Sequence, residues 1–184
     1  LVNDFKFKSR LYTEYDRNTC SIHEDLIGFI KETQEKEYNK LKEQYGLDVD
    51  TKLITRINNE ISSRGLIDVL RKGVKDRGCN FRLIYFQPKT NLNPEHGELY
   101  KKNRFVTVRQ LHYSTKNDNS IDMCLFVNGL PILTMELKNQ LTNQTILDSE
   151  RQYRYDRDPK EQLLEFKRCL VHFCCDNDRV SMTT

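Results

Sequence analysis

Two short apolar runs, residues 121–127 and 132–137, are separated by Asn128-Gly129-Leu130-Pro131. Asn-Gly between β-prone runs predicts a hairpin, because both residues accept the positive φ that a tight turn demands. Each run also carries charge where an apolar residue is expected. Asp122 opens the first, Glu136 closes the second, and Lys138 follows two positions later. A charge in an otherwise apolar strand is costly to bury unless something pairs with it. The two-residue period of a strand puts Glu136 and Lys138 on one face and Leu137 on the other. Whether Asp122 joins them depends on register. A strict two-residue turn sets Val127 opposite Leu130 and Asp122 opposite Met135, which sends Glu136 to the face away from Asp122. A longer connection or a bulge is therefore required to align the two carboxylates. Pro131, which cannot donate to a ladder, favours a longer, irregular turn.

The rest of the chain frames this hairpin. Leu26, Ile27, Ile30, Tyr38, Leu41 and Tyr45 recur at helical spacing over residues 24–45, with Gly46 placed as a C-terminal cap. Asp48 or Asp50 can cap a second helix carrying Leu53, Ile54, Ile57 and Ile61, which continues or restarts past Gly65 through Leu66, Val69 and Leu70. Residues 81–86 are β-prone, and a turn-rich connection with Pro88, Asn91, Asn93, Pro94 and Gly97 follows. Residues 105–113 alternate, with Phe105, Thr107, Arg109, Leu111 and Tyr113 on one face and Val106, Val108, Gln110 and His112 on the other. After Lys138 the helical period returns over residues 146–155. A last helix is expected around 162–166 and an apolar strand over 169–174. The order predicts an α/β or α+β chain in which a mixed sheet is covered by helices. It reads as one domain over 1–184, mainly helical to residue 78 and carrying the sheet from residue 79.

Hydrophobic residues at 37% and charged residues at 31% describe a globular chain. No apolar run approaches the roughly 20 residues of a membrane span. The chain opens on Leu1 and stops at Thr184 without a closing turn signal, as expected of an excerpt from a longer polypeptide. A net charge of +3 neither demands nor excludes nucleic acid. None of the six cysteines forms a C-x-x-C pair, so a reducing, cytoplasmic setting is the simpler reading. Cys169, His172, Cys174 and Cys175 invite comparison with a zinc cluster, but strand geometry splits them between two faces and favours a buried strand.

Two carboxylates beside a lysine make a hard, oxygen-rich site suited to Mg²⁺, which accepts one or two protein carboxylates and keeps several waters. Such an ion activates a water while the ammonium balances charge on an attacked phosphate. Asp122 and Glu136 are the expected metal ligands, and Lys138 the catalytic partner. Arg64, Arg71, Lys72, Lys75 and Arg77 form a basic cluster suited to phosphates, or to the negative end of a helix. Arg109, on a strand beside the acidic centre, is the better placed phosphate contact. His112 receives no role.

Asp122, Glu136 and Lys138 resemble the PD-(D/E)xK nuclease signature. The wider text is more specific: Arg109-Gln110-Leu111-His112-Tyr113, Asn119-Ser120-Ile121-Asp122, Leu125 through Pro131, and Glu136-Leu137-Lys138-Asn139. With Gly73 to Gly78, Gln152-Tyr153-Arg154, Asp156 to Pro159 and Leu170 to Phe173, it resembles the N-terminal domain of type I restriction endonuclease R subunits, from about Tyr15 to Thr184. The resemblance implies a restriction-endonuclease-like core and Mg²⁺-dependent cutting of DNA. It implies metal binding by Asp122 and Glu136 and catalysis by Lys138. That family places a glutamine on the helix after the Glu-x-Lys strand, often as Q-x-x-x-Y. Gln152 matches the glutamine, and Tyr155, three residues on, can reach the same helical face. The family's opening helix, which usually carries a glutamate near the chain start, is expected to be truncated or missing here. The partners implied are DNA, a C-terminal ATP-driven helicase or translocase of the same polypeptide, and methylase and specificity subunits. These residues contain no G-x-x-x-x-G-K-[ST] loop, so ATP belongs to that motor. The rival expectation is a non-catalytic docking domain that keeps the fold.

Overall fold

The computed structural model of the chain describes residues 7–90, 92–138 and 145–184, so that Asn91 and Asn139 lie outside it. The helical period over 24–45 resolves into two helices, α1 (His23–Thr33) and α2 (Glu35–Tyr45). They part at Gln34 (φ −143°, ψ 43°). The Gln34 side chain there pairs with the backbone of Arg82, donating to its carbonyl at 2.9 Å and accepting from its amide at 2.6 Å. A glutamine that serves a neighbouring chain segment in this way leaves the helical path. Helix α3 (Val49–Arg64) and helix α4 (Leu66–Lys72) are separated by Gly65, whose φ of +84° ends the first and starts the second. Their apolar faces meet those of α1 and α2 in one core cluster, which includes Phe29, Leu41, Leu53, Ile57, Leu66 and Val69 and closes on Leu130.

Six strands form the main sheet: β1 (Lys8–Arg10), β4 (Phe105–His112), β5 (Ser120–Val127), β6 (Leu130–Leu137), β7 (Val171–Cys175) and β8 (Val180–Thr183), in spatial order β1-β4-β5-β6-β7-β8. The β4–β5–β6 meander is antiparallel, whereas β1 against β4 and β6 against β7 are parallel. Between β6 and β7 the chain passes through α6 (Ile146–Arg151) and a π-helical turn over Gln152–Asp156.

Four sequence expectations change. Of the β-prone stretch 81–86 only Phe81 is in a strand, at the end of a small hairpin of β2 (Val74–Asp76) with β3 (Cys79–Phe81), turned at Arg77-Gly78 (φ +45° and +79°), and residues 82–86 lie outside any strand. The turn-rich connection holds a helix, α5 (Pro94–Lys101), whose start is capped by Asn93 accepting from the Glu95 amide at 3.1 Å, with Pro94 in the first turn. The stretch 162–166 is a run of turns rather than a helix, and it inserts Leu163 into the core. In β4 the in–out alternation slips by one residue. Val106 and Val108 share a core cluster with Leu111 and Tyr113, although the strand period assigns these pairs to opposite faces. The cause is Gln110, whose φ of +47° is left-handed. The partner strand slips at the same level, since Ile121 lies in the same cluster as Cys124 and Phe126.

A mixed sheet with helices in this arrangement is the α/β, restriction-endonuclease-like fold. No helix among the described residues is long and apolar enough to cross a membrane.

Candidate active site

The hairpin between β5 and β6 solves the register problem with a bulge. Asn128-Gly129 is a two-residue turn (φ +49° and +79°) that pairs Val127 with Leu130 and Phe126 with Pro131. Beyond it the register shifts between Leu125 and Phe126, leaving Ile132 as the extra residue and pairing Met123 with Met135. One further step sets Asp122 across from Glu136. Gly129 is obligatory there: besides its φ, a Cβ would run into the Ile22 carbonyl, which itself accepts the Leu26 amide. Asn128 is fully buried, accepts from the Arg104 amide at 2.7 Å, and donates to the Leu83 carbonyl and Asn103 Oδ1 at 2.9 Å each. The turn is thereby pinned to the helices as well as to the sheet.

Around the acidic pair each carboxylate is oriented. Asp122 Oδ2 accepts the Leu137 amide at 2.8 Å and Oδ1 accepts Gln110 Nε2 at 3.0 Å. Glu136 is 2% exposed; its Oε2 lies 3.9 Å from Lys138 Nζ, and its Oε1 accepts from Arg157 Nη2. Lys138 is only 8% exposed along its side chain and ties its amide to the Cys175 carbonyl at 2.8 Å. Burial pushes the Glu136 carboxyl up to about 7; Arg157 opposes this, Asp122 adds to it, and Lys138 opposes it. The Glu136 charge is thus disfavoured by burial even with Arg157 and Lys138 beside it, a condition that a divalent cation relieves.

Arg157 is the residue that the sequence reading passed over. Its side chain is 8% exposed, and it donates to Tyr113 Oη at 2.9 Å and to the Ser120 carbonyl at 3.1 Å. Its guanidinium carbon stands 5.3 Å and 5.4 Å from the ring centroids of Tyr113 and Tyr153. Burial works against its charge, but Glu136, with Tyr113 and Tyr153, outweighs that and raises its pKa. Asp156 to Pro159 entered the family resemblance without a role for Arg157, and as a run of charges Asp156-Arg157-Asp158 reads equally well as surface. Nothing in it distinguishes the buried middle residue.

Gln152 opens the π-helical turn, and its side-chain oxygen is buried without a hydrogen-bond partner among the described residues. Its carbonyl accepts the Arg157 amide at 3.0 Å, so Gln152 closes the turn that delivers Arg157. Tyr155 is 77% exposed, whereas Tyr153 is the inward tyrosine of this turn. The wider turn of a π-helix changes which residue faces in. Tyr153 shares Thr134 Oγ1 (2.8 Å) with His172 Nδ1 (2.7 Å). Burial, then Arg157, lowers the His172 pKa.

Among the expected DNA contacts, Arg109 is exposed on β4 opposite Met123, one row from Asp122. Arg71 on α4 and Lys75 on β2 are exposed on elements that contribute nothing to the acidic centre. Of their neighbours, Arg64 is held by Glu60 and Asp68, Lys72 by Asp68, and Arg77 lies over the Tyr45 ring. His112 Nδ1 meets Asp118 Oδ1 at 2.7 Å.

No group of three or more His, Cys, Asp or Glu side chains suited to a metal occurs among the described residues, around Cys169 and His172 or elsewhere. Two carboxylates alone, all oxygen, fit Mg²⁺, which completes its shell with water; they fit a soft, closed zinc site poorly.

Searches of curated proteins and of solved structures returned no match. The family profile described as type I restriction enzyme R protein N terminus matches residues 11–184, a span that contains the acidic hairpin, Gln152 and Arg157. The chain therefore belongs to the family of type I restriction enzyme R protein N termini.

Proposed function

We propose that this chain is the nuclease part of a type I restriction enzyme R subunit and cleaves DNA phosphodiesters endonucleolytically with Mg²⁺. The observation that carries the reading is the bulge. It costs β6 an unpaired residue and brings Asp122 across from Glu136, with Lys138 3.9 Å away. A purely structural sheet gains nothing from setting a second carboxylate against the buried Glu136.

In this reading Asp122 and Glu136 hold the ion, each through oxygens already aimed by the Leu137 amide, Gln110 and Arg157. When bound, Mg²⁺ polarises the phosphate and lowers the pKa of a coordinated water. Lys138 holds its ammonium at the edge of the pair, where it orients the attacking water and balances charge gathering on the phosphate. Arg109, exposed one row away, meets the DNA backbone and makes binding salt-dependent, with Arg71, Lys75 and Tyr155 as outlying contacts. Gln152 supports the site through the turn that carries Arg157.

R-subunit membership brings assembly with other restriction–modification subunits and with DNA. We place the ATP-driven translocase in the same polypeptide, and methylase and specificity subunits as its partners. The test is Asp122→Ala and Lys138→Ala in the assembled enzyme, with DNA cleavage and ATP turnover followed separately. Cleavage should vanish while ATP turnover persists. Undiminished cleavage refutes the reading and leaves the docking role instead.

A further inference from the structure

A closed circuit of hydrogen bonds runs around the acidic pair. Glu136 Oε1 accepts from Arg157 Nη2, which also donates to the Ser120 carbonyl. The Ser120 hydroxyl donates to Gln110 Oε1 at 3.2 Å, Gln110 Nε2 donates to Asp122 Oδ1 at 3.0 Å, and Asp122 Oδ2 returns to β6 at the Leu137 amide, 2.8 Å away. Every link is directional. An ionised carboxylate only accepts, so the Gln110 amide must present its nitrogen to Asp122, and the Ser120 hydroxyl on the other end fixes that orientation.

Gln110 is also the strained member of the circuit. It sits in the middle of β4 at φ +47°, a left-handed conformation that a side-chain-bearing residue adopts at a cost. The register is the same on both sides of it, Arg109 opposite Met123 and Leu111 opposite Ile121, so Gln110 stands directly across from Asp122, and this row alone is missing from the run of pairs between them. The chain gives up that pairing and slips its alternation there. In exchange, two consecutive residues, Arg109 and Gln110, are exposed, and the Gln110 amide reaches Asp122.

We propose that Gln110 is a positioning residue for the nuclease centre: its left-handed backbone aims its amide at Asp122 and fixes that carboxylate for the metal. This rests on the proposed reading of Asp122 and Glu136 as metal ligands. The competing explanation is that the left-handed kink exists only to turn Leu111 and Tyr113 into the core. The two differ in how metal affinity and stability move together.

Two substitutions separate them, made in the full-length R subunit with Asp122→Asn as control. Gln110→Gly removes the donor and the strain. Gln110→Met keeps length and strain and removes the amide, both the donor to Asp122 and the acceptor from Ser120. The readouts are thermal stability, the Mn²⁺ binding that depends on Asp122, and the Mg²⁺ concentration giving half-maximal cleavage in the assembled enzyme. A positioning role predicts that both variants weaken Mn²⁺ binding about tenfold. It also predicts a half-saturating Mg²⁺ raised by a similar factor and a cleavage rate largely recovered at high Mg²⁺. The melting temperature, in contrast, holds or rises in the glycine variant and holds or falls in the methionine variant. Wild-type Mn²⁺ affinity in both variants, or affinity that merely follows melting temperature, overturns the inference. If Asp122→Asn binds Mn²⁺ as wild type does, the metal-site reading itself has failed and takes this inference with it. If Asp122→Asn loses binding while both Gln110 variants keep it, only the role of Gln110 is refuted.

Discussion

Glu136 is held as a carboxylate in a place that disfavours its charge, and Glu136→Gln removes that charge while keeping the shape. Its pKa rises from 4.5 to about 7, burial being the largest cause. The gap between those values is worth about 3 kcal/mol of folding free energy at pH 8. The sign follows from proton counting. Between pH 4.5 and 7 the folded chain keeps a proton on Glu136 that the unfolded chain has lost, so stability falls as pH rises through this window. The attraction of Arg157 is already contained in that pKa, so glutamine reproduces the protonated state and not a broken ion pair. The assay is urea unfolding of the 184-residue chain from pH 4.5 to 8 without divalent ions, for wild type and Glu136→Gln. Subtracting the two curves cancels the other titrating groups, His172 among them. The variant should match wild type near pH 4.5 and exceed it by about 3 kcal/mol at pH 8, a visible part of a typical domain stability of roughly 5–15 kcal/mol. Adding Mg²⁺ at pH 8 should stabilise wild type and leave the variant unchanged. A difference curve that is flat with pH, or a variant less stable at pH 8, refutes the claim that burial disfavours the Glu136 charge.

Arg157→Met should cost about 3–5 kcal/mol in denaturant unfolding, because it strands Glu136 in a buried place. Arg157→Lys should recover little of it, since an ammonium cannot span Tyr113, Ser120 and Glu136 together or lie flat between two rings; a lysine variant as stable as wild type contradicts this. Gly129→Ala should lose about 2 kcal/mol or more, from the positive φ and the collision with the Ile22 carbonyl, and a melting temperature equal to wild type would show the turn to be less constrained than described.

Much of the sheet was legible in the sequence because strand period and turn chemistry agree there. Asn128-Gly129 announced the hairpin, and the mismatch between a two-residue turn and the positions of Asp122 and Glu136 left a longer connection or a bulge. Pro131 pointed to the longer turn, but it pairs with Phe126 and the bulge lies beyond it. What escaped was decided by single side chains acting at a distance. Gln34 splits a helix because Arg82, 48 residues on, needs a backbone partner. Gln110 reverses the alternation of β4 through one backbone angle, which no hydrophobic pattern records. Strands β1 and β8 are edge strands of three and four residues, too short for any period. In the site, Asp122, Glu136 and Lys138 stood out as charges in apolar runs. Arg157 sat among exposed charges and became visible only when the π-helical turn carried it under Tyr113 and Tyr153. Helix α5 was readable in hindsight, as Asn93-Pro94-Glu95 has the composition of a capped helix start.

The central claim is that Asp122 and Glu136 share one divalent ion. Anomalous diffraction from crystals of the R subunit grown with Mn²⁺ tests it most directly. The account predicts a peak about 2 Å from an oxygen of each carboxylate, with Lys138 alongside. A Mn²⁺ peak elsewhere in this chain with none between Asp122 and Glu136, in crystals whose R subunits still support cleavage once assembled, would contradict it.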